Sequence, residues 1–162
     1  MTHGYRADGA PWFQSSEKTR DGLPVRLYDE GYDIWIGNFA GSRYARSHVT
    51  LDPDDTESGD YWNFNTEDTA TDEITAFIDT IIESRADAGE ACMKVQIIGY
   101  SLGSTAALML SALRPETSAA MITAIQAHTP CLILEVDNIL GRVGGMPAES
   151  SPDIPVDNLE LG

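Results

Sequence analysis

The sequence predicts an α/β protein with a mostly parallel sheet flanked by helices. Three observations lead there. Residues 93–98 and 120–127 are short apolar runs of β type, and the stretch between them is rich in small helix formers. An earlier apolar run, residues 32–37, is followed by a long stretch with helical periodicity. The resulting alternation of strand, helix, strand, helix, strand is the pattern that gives parallel pairing with helices on the faces. The 162 residues fit one domain, and folding at that length buries roughly 68–70% of the unfolded chain's surface.

The elements follow in order. Residues 1–18 read as a loop, because Gly4, Gly9 and Pro11 break any period. A short amphipathic helix is expected from Leu23 to Glu30, with Pro24 in its first turn and Gly31 as its stop. Tyr32-Asp33-Ile34-Trp35-Ile36-Gly37 reads as a strand. Residues 38–65 are polar and irregular. From Thr66 to Arg85, Ala70, Ile74, Phe77, Ile78, Ile81 and Ile82 fall on one helical face, and either Thr66 with Thr69 or Asn65 with Asp68 can cap it. Met93 to Ile98 is a strand, Leu102 to about Leu113 a helix ended by Arg114-Pro115-Glu116-Thr117, and Ala120 to Ala127 a further strand. Beyond Asn138 the composition thins into Gly, Pro, Ser and Asp. The expected organisation is a core over residues 1–140 and a disordered tail over 141–162.

Charge narrows the partners. Twenty-six acidic residues against ten basic ones give a net charge of −16, a field that repels phosphate backbones and anionic bilayers and so argues against nucleic acid. No run of about 20 apolar residues is present, so no segment is expected to span a membrane. The N-terminus lacks the basic and apolar regions of a signal peptide. Cys92 and Cys131 flank predicted strands, which favours buried free thiols over a disulfide, and two cysteines make no zinc pattern.

The chemistry is carried by Gly99-Tyr100-Ser101-Leu102-Gly103, set between an apolar β run and a small-residue helix. In that context a G-x-S-x-G motif predicts a nucleophile elbow, a tight turn that lifts the Ser101 hydroxyl off the sheet at a helix N-terminus. There the partial positive charge and free N–H groups favour a developing oxyanion. Gly99 and Gly103 are expected to let strand and helix approach closely. Upstream, His3-Gly4-Tyr5 falls where a second oxyanion donor is needed, so the backbone amides of Tyr5 and Leu102 are the expected oxyanion hole.

With these motifs placed, the chain resembles the acid lipase family, which includes the gastric and lysosomal acid lipases. His3-Gly4-Tyr5 with Trp12, the run from Leu27 to Asn38, Tyr61-Trp62-Asn63-Phe64, and Ile98 to Thr105 carry the resemblance, and Arg43 to His48 continues it. It covers roughly residues 3 to 130. It implies a partial α/β-hydrolase fold and hydrolysis of carboxylic esters of neutral lipids, triacylglycerols or sterol esters, through a Ser101 acyl-enzyme. No metal and no organic cofactor is implied, and a secreted or lysosomal setting is. Tyr100 and Leu102 depart from the His and Gln that usually flank the family's nucleophile. The family's catalytic Asp and His lie far downstream with a lid-bearing cap, so the chain reads as cut short at both ends and, by itself, as nearly inactive. The alternatives are a non-catalytic lipid- or protein-binding remnant, and an esterase or thioesterase for small substrates.

The remaining polar residues have local readings. His128 is expected to be a strand-end polar residue rather than a general base, since only Glu116 among acids lies between it and Ser101. His48 reads as a surface or loop-anchoring residue. Asp72 and Glu73, and the Asp52 to Asp55 loop, read as solvated acids. Trp12, Trp35, Trp62 and Phe64 read as core or loop-packing aromatics, with Trp12 and Trp62 the better candidates for lining an acyl pocket.

Overall fold

Val95, Ile97 and Ile98 give the first regular strand, β1 (Val95–Tyr100), its β-branched character, and Ile122 and Ile125 do the same for β2 (Ile122–His128). These two pair in parallel, with Gly99 opposite Ala127 and Tyr100 opposite His128. A computed structural model describes residues 1–14, 22–91 and 94–131. The predicted tail over 141–162, the end of the predicted core and Cys92 lie outside the described residues.

Parallel strands need a long crossover, supplied here by α4 (Leu102–Leu113) and α5 (Pro115–Met121). The expected break at 114–117 is only one residue wide. Arg114 leaves helical geometry, and Pro115, with φ already set and no N–H to lose, opens the next helix at once.

The N-terminal segment runs beside β1. The Thr2 N–H donates to the Ile98 carbonyl at 3.0 Å, and the Tyr100 N–H donates to the Thr2 carbonyl at 3.1 Å. On the other side of this segment, the Gly37 N–H donates to the Met1 carbonyl at 2.9 Å and the Met1 amine to the Trp35 carbonyl at 2.6 Å. The order across is therefore residues 35–37, residues 1–3, β1, β2, with every bridge parallel. The run 32–37, expected as a strand, is thus reduced to a single bridge at Gly37. Its sheet neighbour among the described residues is the short Met1–His3 segment, which offers two hydrogen bonds rather than a ladder.

The helical run begins at α2 (Thr66–Asp68), passes through a π turn at Thr69–Glu73 and continues as α3 (Ile74–Asp87). Asn65 caps it: its side chain accepts from the Glu67 and Asp68 amides, and the Asp68 carboxylate accepts from the Asn65 N–H at 2.8 Å. Of the two caps the sequence allowed, the reciprocal Asn–Asp pair wins because it satisfies donors in both directions. Ala70, Ile74 and Ile78 are buried as the periodicity required, against Ile97, Ala106 and Leu110. The π turn carries one extra residue. It buries Thr69, Ala70 and Thr71 against α4 and swings Glu73 toward the loop at Ala40.

Helix α1 (Leu23–Asp29) lies beside a short 3₁₀ turn at Ala10–Phe13. Phe13, Val25, Tyr28, Ile34 and Ile36 line an open apolar cleft of about 640 Å³ there. Among the described residues, no helix is long and apolar enough to cross a membrane.

Candidate functional site

Ser101 joins β1 to α4 in a turn of one residue. Its backbone sits at φ 49° and ψ −113°, a region that non-glycine residues occupy at a cost of about 1–3 kcal/mol. The turn holds because both sides are tied down. The Ser101 N–H donates to the His128 carbonyl at 2.9 Å. The Ser104 hydroxyl, fully buried, lies 2.6 Å from the Gly99 carbonyl and 2.9 Å from the His128 carbonyl and shares its proton between them. Ser104 was not singled out by motif reasoning. Its hydroxyl alone did not mark it, since the same helix also carries Thr105 and Ser111.

Two glycines make the turn possible for different reasons. A Cβ on Gly99 would stand 2.6 Å from the Ser104 N and 2.7 Å from the Gly103 carbonyl, so the strand end and the first helical turn do touch there as expected. A Cβ on Gly103 would instead meet Thr2, with the hydroxyl oxygen at 2.5 Å and the carbonyl oxygen at 2.7 Å. Gly103 thus lies against the strand end at Gly99 and also clears the N-terminal segment, whose His3 carbonyl accepts the Gly103 N–H at 3.0 Å.

That contact carries the next loop over the serine. A Cβ on Gly4 would lie 3.2 Å from the Ser101 Cβ and 3.1 Å from the Tyr100 ring, so Gly4 packs directly against both. Tyr100, at the position where the resemblance led one to expect His, backs Gly4 with its ring. Among the described residues, neither the Tyr5 N–H nor the Leu102 N–H has an acceptor in the protein. His3, Gly4, Tyr5, Gly99, Ser101, Leu102 and Gly103 are therefore drawn together, although 96 positions of sequence separate His3 from Gly99.

No family model matches the chain. It is 33% identical over 114 residues to a probable lipase of Schizosaccharomyces pombe, covering 70% of this chain and 24% of that protein. It is 30% identical over 116 residues to Lipase member K of Homo sapiens, covering 72% of this chain and 27% of the relative. With Lipase 1 of Drosophila melanogaster it shares 30% identity over 110 residues, covering 68% of this chain and 23% of the relative. This chain belongs to the acid-lipase-like family. It spans about a quarter of the length of these curated relatives, and their names support lipase-type hydrolase chemistry at the level of the family.

No histidine of this acid-lipase-like chain hydrogen-bonds to the serine hydroxyl. His3 is buried and accepts the Phe39 N–H on Nε2 at 3.0 Å. His48 anchors its own loop, with Nδ1 accepting from the Leu51 and Thr50 amides at 2.9 and 3.2 Å. His128 ends β2 with its side chain exposed and contributes its carbonyl. Among the described residues, no hydrogen bond reaches the Ser101 hydroxyl.

One expectation needs correction. Asp72 is exposed, but Glu73 is not a solvated acid: its carboxylate accepts the Ala40 N–H at 2.7 Å, and burial raises its pKa above the ordinary value, opposed by the Ala40 and Thr69 hydrogen bonds and reinforced by Asp68 and Asp72. The π turn, invisible to periodicity, is what delivers it there. Trp12 and Trp62 do not line the apolar cleft, and neither does Ser101. Trp62 instead covers its own loop, with Nε1 donating to the Pro53 carbonyl at 3.0 Å and the Arg46 guanidinium 5.4 Å from its ring. Cys131 is a free, half-buried thiol whose N–H donates to the Thr105 hydroxyl at 2.9 Å. Among the described residues, no group of three His, Cys, Asp or Glu side chains is placed to hold a metal ion.

Proposed function

We infer that Ser101 is the nucleophile of a serine carboxylic-ester hydrolase acting on neutral lipid esters, of triacylglycerol or sterol ester type. The observation that carries this reading is the strained one-residue turn at Ser101, with Gly4 packed against it and the Tyr5 and Leu102 amides without acceptors among the described residues. In this reading the serine hydroxyl oxygen attacks the ester carbonyl carbon, and the carbonyl oxygen gains a negative charge facing those two amides. The bond to the alcohol oxygen then breaks, the serine proton passes through a base to the departing alcohol, and water hydrolyses the acyl-enzyme.

Each oxyanion donor is worth roughly 10²–10³ in rate. In this reading the base comes from outside the described residues, since no histidine hydrogen-bonds to the Ser101 hydroxyl. Loss of a triad histidine costs on the order of 10⁶ in kcat while oxyanion-hole catalysis persists. The 162-residue chain is therefore a weak catalyst with a recognisable serine site.

The test is covalent labelling with a fluorophosphonate probe. Slow modification mapped to Ser101 and lost in Ser101→Ala supports the reading. Absence of label, or label that survives Ser101→Ala, overturns it in favour of a non-catalytic binding role, the reading that the lack of any base contact to the Ser101 hydroxyl would then favour.

A further inference from the structure

The loop between Gly37 and the helix cap at Asn65 turns an apolar surface to solvent. Val49 is 94% exposed, Trp62 43% and Phe64 37%. One ring cluster underlies them. The Tyr61 ring meets those of His48, Trp62 and Phe64 edge-on, with centroids 6.2, 4.8 and 6.5 Å away, and Trp62 and Phe64 lie 6.3 Å apart. Val49 follows His48 directly. The surface is also held in place. The Tyr61 hydroxyl accepts the Gly41 N–H and donates to the Ala45 carbonyl, both at 3.1 Å. Trp62 rests so closely on Gly41 that a Cβ there would stand 2.4 Å from its ring. Docking such a surface orders little that is not already ordered.

The sheet fixes where this loop stands. Thr2 bridges Gly37 on one side and Gly99 on the other, both in parallel. The two glycines are therefore level, and the chain leaves both at the same end of the sheet, from Gly37 into this loop and from Gly99 toward Ser101. The surrounding charges select the partner. Asp52, Asp54, Asp55, Glu57 and Asp60 are exposed in the loop, and Arg46, which lies over Trp62, is paired with Asp54. An apolar centre inside an acidic margin is repelled by anionic headgroups and by nucleic acid. Tryptophan, with an apolar ring and one polar atom, suits a boundary between water and an apolar phase.

We propose that the loop surface of Val49, Trp62 and Phe64 docks the protein on the uncharged surface of a neutral-lipid droplet, on the end of the sheet from which Ser101 projects. This rests on the reading of the Ser101 site as a hydrolase of neutral lipid esters. Such esters are too apolar to stay dispersed in water and collect in a phase of their own, so a site that acts on them meets a surface. The apolar side chains enter that phase and the acidic margin stays in water. The loop supplies contact and orientation, and takes no part in bond breaking.

The experiment is flotation of the full chain with triolein droplets coated in phosphatidylcholine, compared with vesicles of phosphatidylglycerol. Val49→Asp is expected to weaken droplet binding roughly tenfold, the effect of withholding one aliphatic side chain from an apolar phase. Val49→Leu is expected to bind at least as tightly as the wild type. Leu113→Asp is the control: Leu113 is half-exposed at the far end of α4, roughly 16–18 Å along the helix from the serine end, and its replacement should leave flotation unchanged. Urea midpoints check that the variants fold, and should Val49→Asp be destabilised, Val49→Leu decides, tighter or equal binding supporting the proposal and weaker binding overturning it. Equal binding by Val49→Asp and the wild type, an equal loss in Leu113→Asp, or tighter binding to phosphatidylglycerol than to droplets overturns it. So does a wild-type chain that stays in solution, which would leave the surface to a protein partner. Ser101→Ala is expected to float like the wild type. Absent flotation with Ser101 still labelled by the fluorophosphonate sinks the docking surface alone, and flotation without label sinks the nucleophile alone.

Discussion

Gly103 and Thr2 are packed so closely that a methyl group on Gly103 would fall 2.5 Å from the Thr2 hydroxyl oxygen and 2.7 Å from its carbonyl oxygen. Thr2 cannot retreat cheaply, because its N–H and carbonyl are both engaged by β1. Gly103→Ala is therefore expected to destabilise the fold by about 1–3 kcal/mol, the usual cost of overpacking. It should also slow labelling of Ser101, since displacing Met1–His3 lifts Gly4 off the serine. Urea denaturation and probe labelling measure the two effects, and wild-type values for both would refute the contact.

The strain at Ser101 makes a prediction of opposite sign. Glycine enters positive φ freely, whereas alanine suffers as serine does. Ser101→Gly is expected to raise stability by about 1 kcal/mol once the greater freedom of unfolded glycine is set against the relieved strain. Ser101→Ala should leave stability near the wild-type value, and both should abolish labelling. Equal denaturation midpoints for the glycine and alanine variants would show that the turn stores no strain.

Two buried titratable groups pull stability in opposite directions with pH. The lowered pKa of His3 means that the unfolded chain takes up its proton first, so its contribution is complete above 6.5 and is lost as pH falls through the native value. The raised pKa of Glu73 means that the native state holds its proton longer, so its contribution is complete below 4.5 and is lost as pH rises through the native value. Glu73→Gln keeps an acceptor for the Ala40 N–H and removes the buried charge. It is expected to be at least as stable as the wild type near neutrality and to lose stability more steeply on acidification, because the offsetting contribution of Glu73 is gone. Chemical denaturation as a function of pH measures this, and a clear loss near neutrality would contradict the account of Glu73.

Local chemistry by itself determined much of this protein. The face formed by Ala70, Ile74 and Ile78, the β runs over 93–98 and 120–127, whose ends the structure moves to Tyr100 and His128, and the Gly99–Gly103 motif between strand and helix were legible, because each depends on neighbours within a few residues. The resemblance carried by the run from Leu27 to Asn38 was legible too. Tertiary structure decided the rest. Which cap closes the helix at Asn65, that Gly103 also clears Thr2, and that the 32–37 run keeps a single bridge all depend on what a distant segment offers as a partner. The same holds for Glu73, which a π turn aims at Ala40, and for His3, whose tautomer is set by an amide 36 residues away. Periodicity reports which face of an element is apolar, but hydrogen-bond partners and proton positions are properties of contacts that exist only once the chain has closed on itself.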